Sequence, residues 1–184
     1  MEDKFAGLKE KIDILDEDGN KIGETKTYDE VHEKGLLHLT VHVWLVNSKG
    51  QILLQKRSKY VRAYPEYFDI PAGGHVISSQ NSLQGAQLET KEELGLELPE
   101  SAFNFLFRVK EFYITNEGTH TENALNDVYL VNFDFNVEDF KTEHNEVTEV
   151  RFLDLEEFQK WISGAGEPLA PHEEEYKKIL EYLK

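Results

Sequence analysis

The chain contains no cysteine, so disulfides, thiolate metal sites and cysteine nucleophiles are all excluded. Long apolar runs are missing too. The start, MEDKFAGLKEKIDILDEDG, holds no apolar stretch of signal-peptide length, and no later segment is long enough to cross a bilayer. A cytoplasmic protein with no membrane partner is the expectation. Basic residues are scarce: 20 against 36 acids give a formal charge of -16 over 184 residues. A field of that sign repels nucleic acid polymers and anionic membranes. A phosphate ligand must therefore be small, metal-bound or held by a local basic pocket. There are no repeats, low-complexity tracts or linkers, and the length suits one domain with a substantial core. A single domain over residues 1–184 is expected, with residues 1–10 flexible and a C-terminal helix at 165–184.

What is present alternates between strand and helix signals. KIDILDEDGNKIGETKT reads as a hairpin around Asp18-Gly19-Asn20, and TYDEVHEKG as a short helical turn ended by Gly35. LLHLTVHVWLVN and QILLQKRS, joined by Ser48-Lys49-Gly50, read as two antiparallel core strands. YFDIPAGG is a short extended run broken by Pro71 and two glycines. AFNFLFRVKEFYIT, DVYLVNFDF and EVTEVRFLDL read as strands, with the polar NEGTHTEN as a loop after the first of them. LEEFQKWI and EEEYKKILEYLK have helical spacing on either side of SGAGEPLAP. The second can pack Ile179, Leu180 and Leu183 into the core or use them in self-association, and the sequence leaves the oligomeric state open. Strands flanked by helices make a mixed α/β (α+β) domain.

One segment stands apart. GGHVISSQNSLQGAQLETKEELGL opens on a glycine turn and continues as a helix capped by Asn81 or Ser82 and ended by Gly95. Glu89, Glu92 and Glu93 stand at i, i+3 and i+4 and so share one face, while Leu83, Ala86, Thr90 and Leu94 fall on the other. Three clustered carboxylates are either a site for a hard divalent cation, magnesium or manganese, or the solvated face of an acidic helix.

The stretch resembles the signature of the Nudix superfamily, G-x5-E-x7-R-E-U-x-E-E-x-G-U with U aliphatic. Gly74 opens it, Glu89, Glu92 and Glu93 match three of its glutamates, and Gly95-Leu96 close it. Gln80, Leu88 and Thr90 depart from its first glutamate, its arginine and its first aliphatic position. HLTVHVWLVNSKGQILLQKRS, YPEYFDIPAGGHV, NDVYLV and EVTEVRFLDLEEF extend the resemblance over roughly residues 10 to 160, on the branch similar to isopentenyl-diphosphate isomerase.

The resemblance implies an α/β/α sandwich with a mixed central sheet and a loop-helix-loop at the active site. The implied reaction is hydrolysis of a small-molecule diphosphate, a nucleoside diphosphate linked to X or another organic diphosphate. Glu89, Glu92 and Glu93 would share Mg2+ or Mn2+ with the substrate, and Glu92, Glu93 or Glu146 would serve as base. With Gln80 in place of the signature's glutamate and Leu88 in place of its arginine, the loss is balanced in charge. It leaves two outcomes, an active hydrolase or a copy that binds a ligand without turning it over. Isomerase chemistry is disfavoured. The catalytic cysteine of a C-G-H stretch is replaced in Gly73-Gly74-His75, and the second acid of an E-N-E segment is Ala124, with Glu122 retained.

His38 and His75 match imidazole metal ligands of the isomerases, with His32 near a third such position. Read without the resemblance, His32, His38 and His42 are ordinary helix or strand residues, and His75 a loop hydrogen-bonder. Lys56, Arg57 and Arg62 form a basic cluster suited to phosphate, and Gly74 and Tyr67 complete the expected substrate-binding set. Tyr60, Tyr64 and Phe68 are pocket or core aromatics. A different class of function is an interaction module whose acidic surface meets a basic partner, in which the glutamate helix binds no metal.

Overall fold

The structure, a computed structural model, describes residues 11–61, 63–134, 136–141 and 146–184. Residues 1–10 and Arg62, for which flexibility and a phosphate contact are expected, lie outside this set. The elements run β1 (Lys11–Leu15), β2 (Lys21–Thr27), α1 (Tyr28–Lys34), β3 (His38–Val46), β4 (Ile52–Arg57), β5 (Phe68–Asp69), β6 (Ala72–His75), α2 (Ser82–Leu94), β7 (Phe103–Thr115), β8 (His120–Asn132), β9 (Val147–Leu153), α3 (Leu155–Ile162) and α4 (Glu173–Tyr182).

β3 is buried along almost its whole length, its polar His38, Thr40 and His42 included, because both of its faces are covered. Val41, Val43 and Leu45 pack toward α2 with Leu53, Ala86, Leu94, Tyr129 and Val131. Trp44 and Val46 point the other way, joining Ile52, Leu54, Leu130, Phe158, Trp161, Tyr176 and Ile179 under α3 and α4. Alternation along each strand thus divides the apolar residues between two cores, one on each side of a mixed sheet. Each fully buried large side chain contributes roughly 1.5–3 kcal/mol. This is the expected α/β/α sandwich. Ile179 is buried in the second core, so the apolar side of α4 serves packing.

The sheet opens where the site forms. β3 and β4 are antiparallel neighbours and register at the single pair Val46↔Ile52, beside the turn that joins them. From there β3 pairs with β6 and, in parallel, with β8, while β4 pairs with β5 and β9. The two central strands therefore diverge, and a cleft lies between them.

Two expected boundaries differ. The stretch NEGTHTEN is not all loop: a short turn covers Asn116–Gly118, and β8 begins at His120. Its polar residues alternate as strand residues do, with His120, Glu122 and Ala124 buried. The C-terminal helix spans Glu173–Tyr182 only. Pro168 and Pro171 interrupt the preceding segment, and Ala170 bonds to Phe68 of β5 through its backbone N–H.

Candidate functional site

α2 is fixed at both ends. Asn81 caps it reciprocally with Gln84, accepting from the Gln84 N–H at 2.9 Å, and Gly95 closes it in the left-handed conformation. Ala86, Thr90 and Leu94 are buried against the sheet, which turns the opposite face, with Glu89, Glu92 and Glu93, into a cavity of about 310 Å³. Glu146, in the turn before β9, and Arg57, at the end of β4, line the same cavity.

The glycine that opens the turn has a specific task here. A Cβ on Gly74 would lie 2.4 Å from the carboxylate carbon of Glu89, so the bare Cα makes the space this carboxylate occupies. Glu93 accepts from the Gln55 amide at 2.9 Å and from the Gly73 N–H at 3.3 Å. Its carboxyl is nevertheless pushed well above the usual carboxylate range, by burial first and then by the neighbouring Glu89 and Glu146.

A second group of ligating side chains adjoins the first. Ligand atoms of His32, His38, His75 and Glu122 all lie within 4.8 Å of one another. The Nδ1 atoms of His32 and His38 face the carbonyl oxygens of Tyr28 and Leu36 at 2.8 and 2.9 Å. Assigning the ring hydrogens to Nδ1 lets both donate, and both Nε2 lone pairs then face the centre of the group. Glu122 meets His38 Nε2 at 3.1 Å and His32 Nε2 at 3.3 Å. Burial, with His38 next, pushes the His75 imidazole well below its ordinary value, which favours the neutral ring a metal needs. His120 stacks on His32, the ring centroids 4.3 Å apart.

The remaining wall is polar. Arg57 donates from Nη1 to Asp69 at 2.8 Å and from Nε to the Ala63 carbonyl at 2.9 Å. His172, just before α4, bonds Asp69 through Nε2 at 3.0 Å and Glu111 through Nδ1 at 2.5 Å. Tyr113 and Tyr64 add rings 5.6 Å apart, and burial, followed by Glu122 and Glu111, drives the Tyr113 hydroxyl far above its ordinary pKa, so it stays protonated.

Of the side chains expected at a site, Glu89, Glu92, Glu93, Glu146, Gly74, His75 and Arg57 line one cavity, and His38 lies buried directly behind it. Lys56 and Tyr67 do not line it. Strand alternation carries Lys56 away from Arg57 and over the Phe68 ring at 5.5 Å. Tyr67 is exposed, beside Tyr64. His42 is a strand residue, as expected, but is buried and bonded to Glu175 at 2.8 Å. His32 joins the imidazole group, against its reading as an ordinary helix residue. Asp69, Glu111, His120 and His172 were not singled out from sequence. The His120/Glu122 pair carries an i, i+2 signal, visible once the stretch is read as a strand; the others carry none.

A sandwich of this topology with a carboxylate-bearing helix over a cleft in the sheet defines the class of the domain, and sequence comparison gives the family. The NUDIX domain family model matches residues 36–183, and the chain belongs to the Nudix hydrolase family, whose members generally hydrolyse diphosphate linkages in nucleoside diphosphate derivatives. Nudix hydrolase 3 of Arabidopsis thaliana is 35% identical over 181 residues, which cover 96% of this chain and 23% of that protein. The chain thus spans less than a quarter of that relative. The uncharacterized Nudix hydrolase lmo0368 of Listeria monocytogenes is 33% identical over 158 residues, 86% of this chain and 87% of its own length. The crystal structure of DR0079 from Deinococcus radiodurans shares the fold, with a TM-score of 0.69 at 20% identity over 92% of this chain and 98% of that one.

Proposed function

We propose that the chain is a magnesium- or manganese-dependent hydrolase of a small-molecule diphosphate, acting in the cavity beneath α2. The observation that carries this reading is the convergence of Glu89, Glu92, Glu93 and Glu146 beside Arg57, with Gly74 making room for the Glu89 carboxylate. The residues fit the ion. They offer carboxylate oxygens without thiolates, the donor set that suits magnesium or manganese, and burial, followed by Glu89 and Glu146, raises the Glu93 carboxyl, a cost that a bound cation would offset.

Glu89, Glu92 and Glu93 would hold the cation, which when bound supplies Lewis acidity toward the diphosphate. Arg57, kept cationic and oriented by Asp69, meets phosphate oxygens. Glu92, Glu93 and Glu146 are the candidates to take the proton of the attacking water, and Gln55 orients Glu93. The protonated Tyr113 donates to substrate from the opposite wall. His38 and His75, with His32 and Glu122, form a second group able to hold a divalent ion, favoured by the backbone carbonyls that orient two of its rings.

The test is release of phosphate or nucleoside monophosphate from nucleotide-sugar, dinucleoside and prenyl diphosphates, with and without magnesium and manganese. Release that requires the ion supports the hydrolase. If every substrate stays intact while calorimetry still registers ligand binding, the binding-only reading replaces it.

A further inference from the structure

Across the floor of the cavity runs a hydrogen-bonded chain that the hydrolytic reading uses only at its Arg57–Asp69 end. Arg57 bonds Asp69, Asp69 bonds His172, and His172 bonds Glu111. Glu111 accepts from the Asn126 amide at 3.1 Å, and Asn126 accepts from the Thr40 hydroxyl. All six side chains line the cavity. They come from β4, β5, the segment before α4, β7, β8 and β3, so the chain ties both halves of the diverged sheet to the C-terminal segment.

His172 is its centre. Each ring nitrogen faces a carboxyl oxygen, and an ionised carboxylate has only lone pairs to offer, so with both acids ionised both nitrogens carry hydrogen and the ring is an imidazolium. Charge then alternates along the floor: Arg57 positive, Asp69 negative, His172 positive, Glu111 negative. The side chain is about 8% exposed, and its place is secured by the next turn of chain. Glu175, three residues on, accepts from His42 at 2.8 Å and from the Trp44 indole at 2.7 Å.

We infer that His172 is a positioning residue for the diphosphate: by holding Asp69 against Glu111, it sets the direction from which the Arg57 guanidinium enters the cavity. The inference rests on the reading of Arg57 as a phosphate contact. Remove the imidazolium, and Asp69 keeps Arg57 as its only side-chain partner among the described residues. The guanidinium is drawn down onto the carboxylate, and the wall facing an anionic substrate loses a positive charge. The C-terminal segment thereby becomes part of the substrate site rather than a cover on the far core.

The experiment is a double-mutant cycle on the full chain, with magnesium pyrophosphate as the probe and its dissociation constant read by calorimetry. Arg57→Ala and His172→Ala are each expected to weaken binding about tenfold, the scale of one charge-assisted hydrogen bond. The double variant is expected to be no weaker than Arg57→Ala alone. His172→Gln, which keeps one donor bond, is expected to fall between wild type and His172→Ala. It also serves if the alanine variant fails to fold. On a substrate that is turned over, KM should rise while kcat holds. A purely structural His172 would lower the unfolding temperature and leave pyrophosphate affinity unchanged, which overturns the inference. Full additivity with Arg57→Ala overturns it as well and leaves the phosphate role of Arg57 standing. Wild-type affinity in Arg57→Ala overturns both. The predicted pattern of affinities without turnover of any substrate overturns only the hydrolase reading.

Discussion

Replacing Gly74 with alanine separates the proposed metal site from the fold. The new Cβ would meet the Glu89 carboxylate carbon and one oxygen at 2.4 Å and the other oxygen at 2.5 Å, against ordinary contact from 3.4 Å upward. The head group must therefore retreat by about 1 Å, several times the ~0.2 Å tolerance of a metal–oxygen bond. That retreat is inexpensive for the fold. Glu89 ends a flexible side chain, so an off-rotamer shift costs about 1 kcal/mol. Gly74 is not among the residues with positive φ, so alanine brings no backbone strain. Roughly 1 kcal/mol lowers the unfolding temperature by about 2–4 °C in a domain of this size. Catalysis is less forgiving: a ligand misplaced by about 1 Å costs ~100-fold in rate, or about 2.7 kcal/mol at the transition state. The assay is kcat/KM as a function of magnesium, paired with thermal unfolding. Gly73→Ala is the contrast, because its Cβ would lie 2.9 Å from the Val41 carbonyl oxygen and strike backbone. That variant should lose stability. Wild-type metal dependence in Gly74→Ala, or a loss of stability as large as that of Gly73→Ala, would mean that Gly74 does not make room for a Glu89 that holds metal.

Further outcomes follow from buried charge. Glu175→Ala leaves His42 and Trp44 with buried donors and no acceptor, which should cost about 3–5 kcal/mol and lower the unfolding temperature by roughly 10 °C or more. Glu175→Gln, which keeps one acceptor, should lose less. The His172 ring is raised well above 6.5: burial opposes this, but Asp69 and Glu111 outweigh it. A group raised on folding contributes stability that is complete below its unfolded pKa and is lost as pH rises through the folded value. Thermal unfolding at about pH 6 and about pH 9 should therefore show an alkaline loss in wild type that is smaller in His172→Gln. An equal loss in both would remove His172 as its source.

Much of the fold is legible in the chain because its signals are local. The Asn81 and Gly95 caps, the i, i+3, i+4 glutamates and the buried face of α2 need only helical geometry. The two-sided burial of β3 shows as the apolar run VWLV over residues 43–46. Polarity misleads in THTEN, since His120 and Glu122 point inward to one another's neighbours and make a strand look like a loop. In β4, alternation assigns Arg57 to the cavity and Lys56 to the other side, a distinction that a basic cluster read as a unit obscures. The His172 chain is out of reach of any local rule. Its bond to Asp69 spans 103 residues, and that of Glu175 to His42 spans 133. A histidine before a terminal helix carries no mark of the partners that the sheet brings to it.

The most direct measurement compares wild type and Glu93→Gln on the best diphosphate substrate at saturating magnesium, with circular dichroism to verify the fold. The variant keeps the side chain's shape and its neighbours while removing the charge. Both proteins should give native spectra, and metal-dependent turnover should be lost in Glu93→Gln. Equal turnover in the two would contradict the carboxylate site under α2.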